Sequence, residues 1–140
     1  MIDFTTPLGM RAAQRLNSDF FVWLTSVSPS GVPQPRPVWF IWEDDAFLIY
    51  SQPHARKLEH IARNPNVTLH FDAGAKGLDV QVFVATAEIV SDPVLVDQVK
   101  AYVEKYGQEI QSMGASVEQF AAGYSVALRV KPSRLRGMSV

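Results

Sequence analysis

Cysteine is absent from the 140-residue sequence, and so are long apolar runs and a strong excess of one charge. Without cysteine the chain has no disulfide, no thiol nucleophile and no cysteine-ligated zinc or iron–sulfur centre. No apolar run approaches the roughly 20 residues that a membrane helix needs, and a net charge of −1 gives no general attraction to nucleic acid. The N-terminal residues lack the pattern of a secretory signal, so we expect a cytoplasmic protein without membrane or nucleic-acid partners.

The composition is that of a folded protein, with 47% hydrophobic and 19% charged residues. A chain of this length suits one hydrophobic core, so we assign residues 1–140 to a single domain. Residues 119–140 contain no acid but four cations: Arg129, Lys131, Arg134 and Arg136. This segment is interpreted either as a solvated basic tail or as a tail that folds over an anionic group.

Runs of β-branched, aromatic and alternating residues predict six strands, and turn residues separate them. The predicted strands are 20–28, 34–43, 46–51, 67–72, 78–90 and 124–130. Helices are expected after the Thr6-Pro7 cap, at 54–63, from Asp92-Pro93 onward, and at 116–122. Asp44-Asp45 makes 34–51 a predicted hairpin, and Pro132 is expected to begin the tail. Short connections favour a small, mostly antiparallel barrel with packed helices over a doubly wound parallel sheet.

The segment from Tyr50 to Lys57 is the most informative for function. A strand ends in the polar side chains Ser51 and Gln52, and Arg56 and Lys57 follow in the first turn of a helix. Unpaired backbone N–H groups and the positive end of the helix dipole already favour an anion there, so two cations predict a phosphate site. The alternative is a pair of surface cations.

The second predicted strand offers an apolar shelf for a flat ring. It runs from Arg36 and Pro37 into Val38, Trp39 and Phe40, opposite Tyr50 in the predicted hairpin. Aromatic and aliphatic side chains with few polar groups are typical of pockets for planar ligands. Such a stripe is also typical of an ordinary core, and both interpretations stay open at this point.

Other chemistries find no support in the sequence. The spacings of His54, His60 and His70 match no metal-ligand pattern, so no metal site is predicted. Gly-rich dinucleotide, P-loop and nucleophile-elbow motifs are missing from the sequence. We therefore name no catalytic residue.

Residues 30–40 and 50–69, in this order around a hairpin, resemble the pyridoxamine 5′-phosphate oxidase-like split-barrel flavoprotein superfamily. The similarity extends roughly from Asp19 to Met138 and is greatest to small actinobacterial members that use the deazaflavin coenzyme F420. Arg56-Lys57 followed by Asn64-Pro65 is its most specific part. The resemblance implies a mainly β protein: a six-stranded antiparallel split barrel with flanking helices. Ala85 departs from the glycine common there.

The resemblance also implies a homodimer with two cofactor sites at the subunit interface. The cofactor would contact nine residues: Arg36, Pro37, Val38, Trp39, Tyr50, Ser51, Gln52, Arg56 and Lys57. Arg134 and Arg136 would close the partner's pocket. The implied activity is hydride transfer from reduced coenzyme F420 to a small electron-poor substrate. The alternatives are an FMN-binding oxidase or flavin reductase of the same fold, and a non-catalytic flavin- or deazaflavin-binding protein.

Overall fold

The computed structural model describes residues 1–138, so the last two residues of the predicted domain and tail lie outside the described residues. Seven strands form: β1 (Phe21–Val27), β2 (Pro33–Trp39), β3 (Ile41–Glu43), β4 (Ala46–Ser51), β5 (Asn66–His70), β6 (Val80–Ile89) and β7 (Val126–Met138). Four α-helices accompany them: α1 (Pro7–Ser18), α2 (Arg56–Arg63), α3 (Lys100–Ser112) and α4 (Val117–Gly123). A 3₁₀ turn, Val96–Gln98, precedes α3.

All strands belong to one antiparallel sheet in the order β2-β1-β5-β6-β7-β4-β3. The sheet curls around a core that α1 and α2 help to cover, which confirms the mainly β split-barrel architecture. Seven strands replace the expected six because the predicted strand 34–43 is interrupted at Phe40.

The hairpin predicted over 34–51 is wrong in its extent. Strand β2 pairs with β1, and only β3 pairs with β4 through the turn at Asp44-Asp45. Both turn residues have positive φ, 51° and 58°, as a two-residue hairpin turn of the favoured hand requires. Residues 36–40 therefore do not lie opposite Tyr50 in a hairpin.

Two apolar clusters cover the two faces of the sheet. Val38 and Phe40 are buried in the inner cluster, whereas Ile41 is buried in the outer one, against which half-buried Trp39 packs. The two-residue alternation of a strand, with Trp39 and Ile41 on one face and Val38 and Phe40 on the other, therefore continues across the strand break. Helices α3 and α4 cover the outer cluster.

Two predicted boundaries need correction. The helix expected from Asp92-Pro93 begins only at Lys100, because Asp92 takes a positive φ of 49° and Val96 is fully buried in the intervening turn. The last strand does not end before Pro132 but continues to Met138, paired along β6 with a register shift between Val84 and Ala85. Proline is tolerated at such a bulge because one residue there leaves the hydrogen-bond ladder. Residues 131–138 are therefore a strand and no tail.

Membrane insertion by helices is not indicated for residues 1–138, since none of their helices combines the length and apolarity that a span requires.

Candidate functional site

A cationic cleft of about 450 Å³ lies where α2 begins beside β1 and β2. We use this name for the depression lined by Ser26, Ser28, Gln34, Arg36, Pro37, Ala55, Arg56, Lys57 and His60. Three of the cations predicted as site residues meet here, and no carboxylate is among the lining residues. Arg36, predicted on the ring-binding strand, lines the same cleft as Arg56 and Lys57, the pair predicted to bind phosphate.

The three cations of the cleft lack acidic partners. Among the ion pairs of residues 1–138, none involves Arg36, Arg56 or Lys57. Burial and the nearby Arg36 guanidinium lower the pKa of Lys57 below its usual value. Helix α2 has Ala55 as its N-cap, which offers no side-chain acceptor to the first backbone N–H groups. The cleft therefore presents positive charge that only an external anion can neutralise.

Neutral polar groups extend the cleft beyond the cations. Ser26 is 2% exposed, and its Oγ lies 3.4 Å from His60 Nδ1 across the gap between β1 and α2. From the sequence, His60 was considered as a metal ligand and rejected, and Ser26 was not used. The alternation along β1 is sufficient to predict that Ser26 is buried. The contact of Ser26 with His60 depends on how α2 packs against β1, which the sequence pattern does not show.

An aromatic cavity of about 320 Å³ adjoins the cleft. We use this name for the cavity lined by Pro37, Val38, Trp39, Tyr50, Gln52, Ala55, Lys57, Tyr102, Met113, Phe120 and Tyr124. Pro37, Ala55 and Lys57 line both depressions. Cleft and cavity therefore adjoin along these residues, and we use the name groove for the two together, with a cationic end and an aromatic end.

Stacked rings build the wall of the aromatic cavity. The Trp39 indole lies parallel to the Tyr106 ring, with centroids 4.4 Å apart, and also stacks on the Phe120 ring at a centroid distance of 5.7 Å. Phe120 in turn stacks on Tyr124 at 4.2 Å. Sequence reasoning missed Phe120 and Tyr124, because Phe120 lies on α4, Tyr124 follows as the residue that ends this helix, and the sequence assigned them to two different elements.

The Tyr106 hydroxyl fixes this wall to the strand break. It donates to Phe20 O at 2.6 Å and accepts from Phe40 N at 2.8 Å. Lys105 Nζ donates to Phe40 O at 2.8 Å and lies 3.8 Å above the Phe40 ring. The backbone of Phe40 is thus bound by α3 and not by a neighbouring strand, which explains why β2 and β3 are separate elements.

Most of the predicted site residues lie along the groove. Arg36 and Arg56 line the cleft, Val38, Trp39, Tyr50 and Gln52 line the cavity, and Pro37 and Lys57 line both. Ser51 is the exception: it lines neither depression, is 1% exposed and bonds Gln52 O through its Oγ. Its position on β4 has the same parity as buried Phe47 and Ile49, so it belongs to the core side of the strand.

Arg134 and Arg136 are remote from the groove within one chain. They line a separate depression of about 480 Å³ beside the N-terminal segment, together with residues such as Asp3 and Leu135. Their backbone pairs with Val84 and Val82 of β6. Closure of the partner's pocket by these arginines remains a prediction.

The sheet order, its curl and the helices on its outer side define an antiparallel split-barrel protein. The model of the pyridoxamine 5′-phosphate oxidase family matches residues 10–139. The chain belongs to this family, as the resemblance predicted.

Solved structures share the fold at low sequence identity. A conserved hypothetical protein of Mycobacterium tuberculosis aligns with a TM-score of 0.74 and 23% identity over 93% of this chain and 83% of its own. An F420 reductase aligns with a TM-score of 0.69 and 20% identity over 88% and 94%. An FAD-binding protein of Mesorhizobium loti aligns with a TM-score of 0.61 and 16% identity over 90% and 88%. A search of curated proteins found no match.

Proposed function

We propose that this protein is an oxidoreductase that transfers hydride from reduced coenzyme F420 to a small electron-poor organic substrate. The observation that carries the proposal is the groove itself, in which unpaired cations join an aromatic cavity at Lys57. A ligand with a phosphate on one end and a flat ring on the other matches both ends. The structural relative named as an F420 reductase supports the deazaflavin as that ligand.

Each part of the groove has a defined task in this proposal. Arg36, Arg56 and Lys57 bind the phosphate, with the free N–H groups at the start of α2. Trp39 and Tyr50 bound the ring, and Tyr50 is held because its hydroxyl donates to Val94 O. Burial raises the pKa of Tyr50 to about 12, so this hydroxyl stays a neutral donor at physiological pH.

The protein's contribution to the reaction is binding and orientation. The coenzyme supplies a hydride, and a proton from solvent completes the two-electron reduction of a C=C, C=N or quinone group. The aromatic residues of the groove would support the ring, and the acceptor would have to bind against the face of the ring that they leave uncovered. We assign no residue as nucleophile or general acid.

We also propose that the cofactor sites are completed in a homodimer. The outward face of β1, β5 and β6 carries a row of half-buried side chains, among them Trp23, His70, Val82 and Val84. Trp23 stacks on His70 with centroids 6.4 Å apart. Such a face suits a second copy of the chain, and pairing through it would carry Arg134 and Arg136 toward the partner.

Side-by-side titration with coenzyme F420 and FMN tests the proposal. Lys57→Met is expected to weaken coenzyme binding about 10- to 100-fold, since a charge-assisted bond to phosphate contributes about 1.5–3 kcal/mol. Arg63→Met is the matched control, because Arg63 is an exposed cation of α2 that does not line the cleft. Equal affinities for wild type and Lys57→Met would refute the phosphate assignment.

An FMN-dependent member of the fold is the second candidate, and the relative named as an FAD-binding protein favours it. Both coenzymes carry a tricyclic ring and a phosphate, so the groove suits either. Tighter binding of FMN, with a yellow purified protein, would replace the deazaflavin by FMN. Binding without acceleration of hydride transfer to quinones and enones would indicate a non-catalytic carrier.

A further inference from the structure

The Tyr102 hydroxyl is a polar group on a deeply buried side chain for which the described residues supply no hydrogen-bond partner. Tyr102 lies in the first turn of α3, is 1% exposed and forms no hydrogen bond within residues 1–138 through its hydroxyl. Burying a hydroxyl without a partner costs free energy, and native proteins rarely tolerate it. A polar atom kept in such a position calls for an explanation.

The hydroxyl is not sealed inside the protein. Among the described residues, no completely enclosed side-chain N or O atom lacks a hydrogen-bond partner. The unbonded Tyr102 hydroxyl therefore retains some access, and the space that this residue lines is the aromatic cavity. The opening consequently faces the place where the ring of the proposed ligand would lie.

Two neighbouring tyrosines use their hydroxyls within the fold. Tyr50 and Tyr106 are also buried, and their hydroxyls bond the backbone at Val94 and at Phe20 and Phe40. The Tyr50 ring packs edge-on against the Tyr102 ring at 5.2 Å, and the Tyr106 ring lies 4.7 Å away. These contacts fix the Tyr102 ring without using its oxygen.

The surroundings determine what this hydroxyl can bind. Burial, with the neighbouring hydroxyls of Tyr106, Tyr50 and Tyr124, raises the pKa of Tyr102 well above its usual value. The phenol is therefore protonated at physiological pH and available as a donor. Its complement is an acceptor atom, such as the carbonyl oxygen of a planar ring.

We propose that Tyr102 is a positioning residue whose hydroxyl donates a hydrogen bond to a carbonyl-type acceptor on the ring held in the aromatic cavity. The inference rests on the proposed function for the identity of that ring. Lys57 then fixes the phosphate end of the ligand, and Tyr102 fixes the orientation of the ring end. Two fixed points, one at each end of the groove, define a single pose.

Tyr102→Phe tests the proposal, because it removes only the oxygen. Probes separate the two ends of the groove: lumichrome for the ring alone, inorganic phosphate for the anion alone, and coenzyme F420 and FMN for both. We expect about three- to tenfold weaker binding of lumichrome and of the coenzyme that wild type binds. Phosphate binding stays unchanged, and the absorption band of the bound ring shifts relative to wild type.

Ser112→Ala is the control, since it removes a hydroxyl from an exposed residue of the same helix that lines neither the cleft nor the cavity. It should leave the spectrum of the bound ring unchanged. Equal ring affinity and an identical spectrum in wild type and Tyr102→Phe would overturn the proposal, as would failure of lumichrome to bind. If lumichrome binds through Tyr102 while neither coenzyme binds, the proposed function fails and the donor assignment stands.

Discussion

Removal of the Tyr106 hydroxyl tests how the groove is attached to the barrel. In Tyr106→Phe the N–H of Phe40 loses its acceptor, and Phe40 is fully buried. An unsatisfied buried donor costs about 1–3 kcal/mol. The Phe20 carbonyl also loses its donor, but Phe20 is 41% exposed and water can replace it. Phe40 O keeps Lys105 as a donor. The free energy of unfolding should therefore fall by about 2–3 kcal/mol.

Tyr102→Phe provides the comparison within the same helix, one turn away. Its hydroxyl has no partner within residues 1–138, so its loss should change the free energy of unfolding by less than about 0.5 kcal/mol. Urea denaturation followed by tryptophan fluorescence measures both variants. With a slope of about 2 kcal/mol/M, Tyr106→Phe should move the midpoint by about 1 M and Tyr102→Phe scarcely at all. Equal shifts for the two variants would refute this account of the hydroxyls.

Three further predictions concern charge and assembly. Coenzyme affinity should fall as pH rises through the lowered pKa of Lys57, at a lower pH than for an ordinary lysine, and Lys57→Met should abolish that step in a pH titration. Hydrogen bonds from Arg11 lower the pKa of Asp79, so the free energy of unfolding should fall as pH drops below 3.8, the usual pKa of an aspartate. Asp79→Asn should lower the free energy of unfolding by about 1 kcal/mol at neutral pH and weaken its dependence on pH below 3.8, as measured by urea denaturation at several pH values. Val84→Asp on the outward sheet face should give monomers by light scattering, whereas exposed Val94→Asp should not.

Local rules predicted the elements whose stabilising contacts are local. Thr6 caps α1 through a hydrogen bond to Gly9 N, and Ser116 forms a capping box with Gln119 at α4. The alternation along β6 correctly separates Gln81, Phe83 and Ala85 from the valines between them, but only the structure shows that the face with Gln81 is the buried one. The segment from Tyr50 to Lys57 was predictable for the same reason, because the end of β4 and the start of α2 both lie within it.

Elements set by distant partners were not predicted. The break at Phe40 depends on Tyr106 and Lys105, which are 66 and 65 residues away in sequence. The extension of β7 beyond Pro132 depends on a bulge against β6, where a residue without an N–H is acceptable. In both cases a partner distant in sequence determines the backbone conformation. Local preference alone predicts a continuous strand through Phe40 and a strand that ends before Pro132.

The candidate site divides in the same way. Its cationic end was predictable because adjacent residues of one helix start supply Arg56 and Lys57, whereas Arg36 joins them only through the barrel's curvature. Its aromatic end draws four of its eleven lining residues from α3, α4 and the residues that end these helices, including Tyr102 and Phe120. No spacing rule connects those residues to Trp39, so the fold was needed to find them.

Unpaired cations in the cleft carry a cost for the free protein. Burial and the proximity of Arg36 disfavour the charged form of Lys57, and no carboxylate within residues 1–138 forms an ion pair with either side chain. An anion that enters the cleft offsets this repulsion between the cations. Part of the free energy of anion binding therefore comes from the unfavourable electrostatic energy that the free protein already carries. The same groups that lower the stability of the empty groove therefore raise its affinity for a phosphate, and a thermal shift on ligand binding should be smaller in Lys57→Met than in wild type.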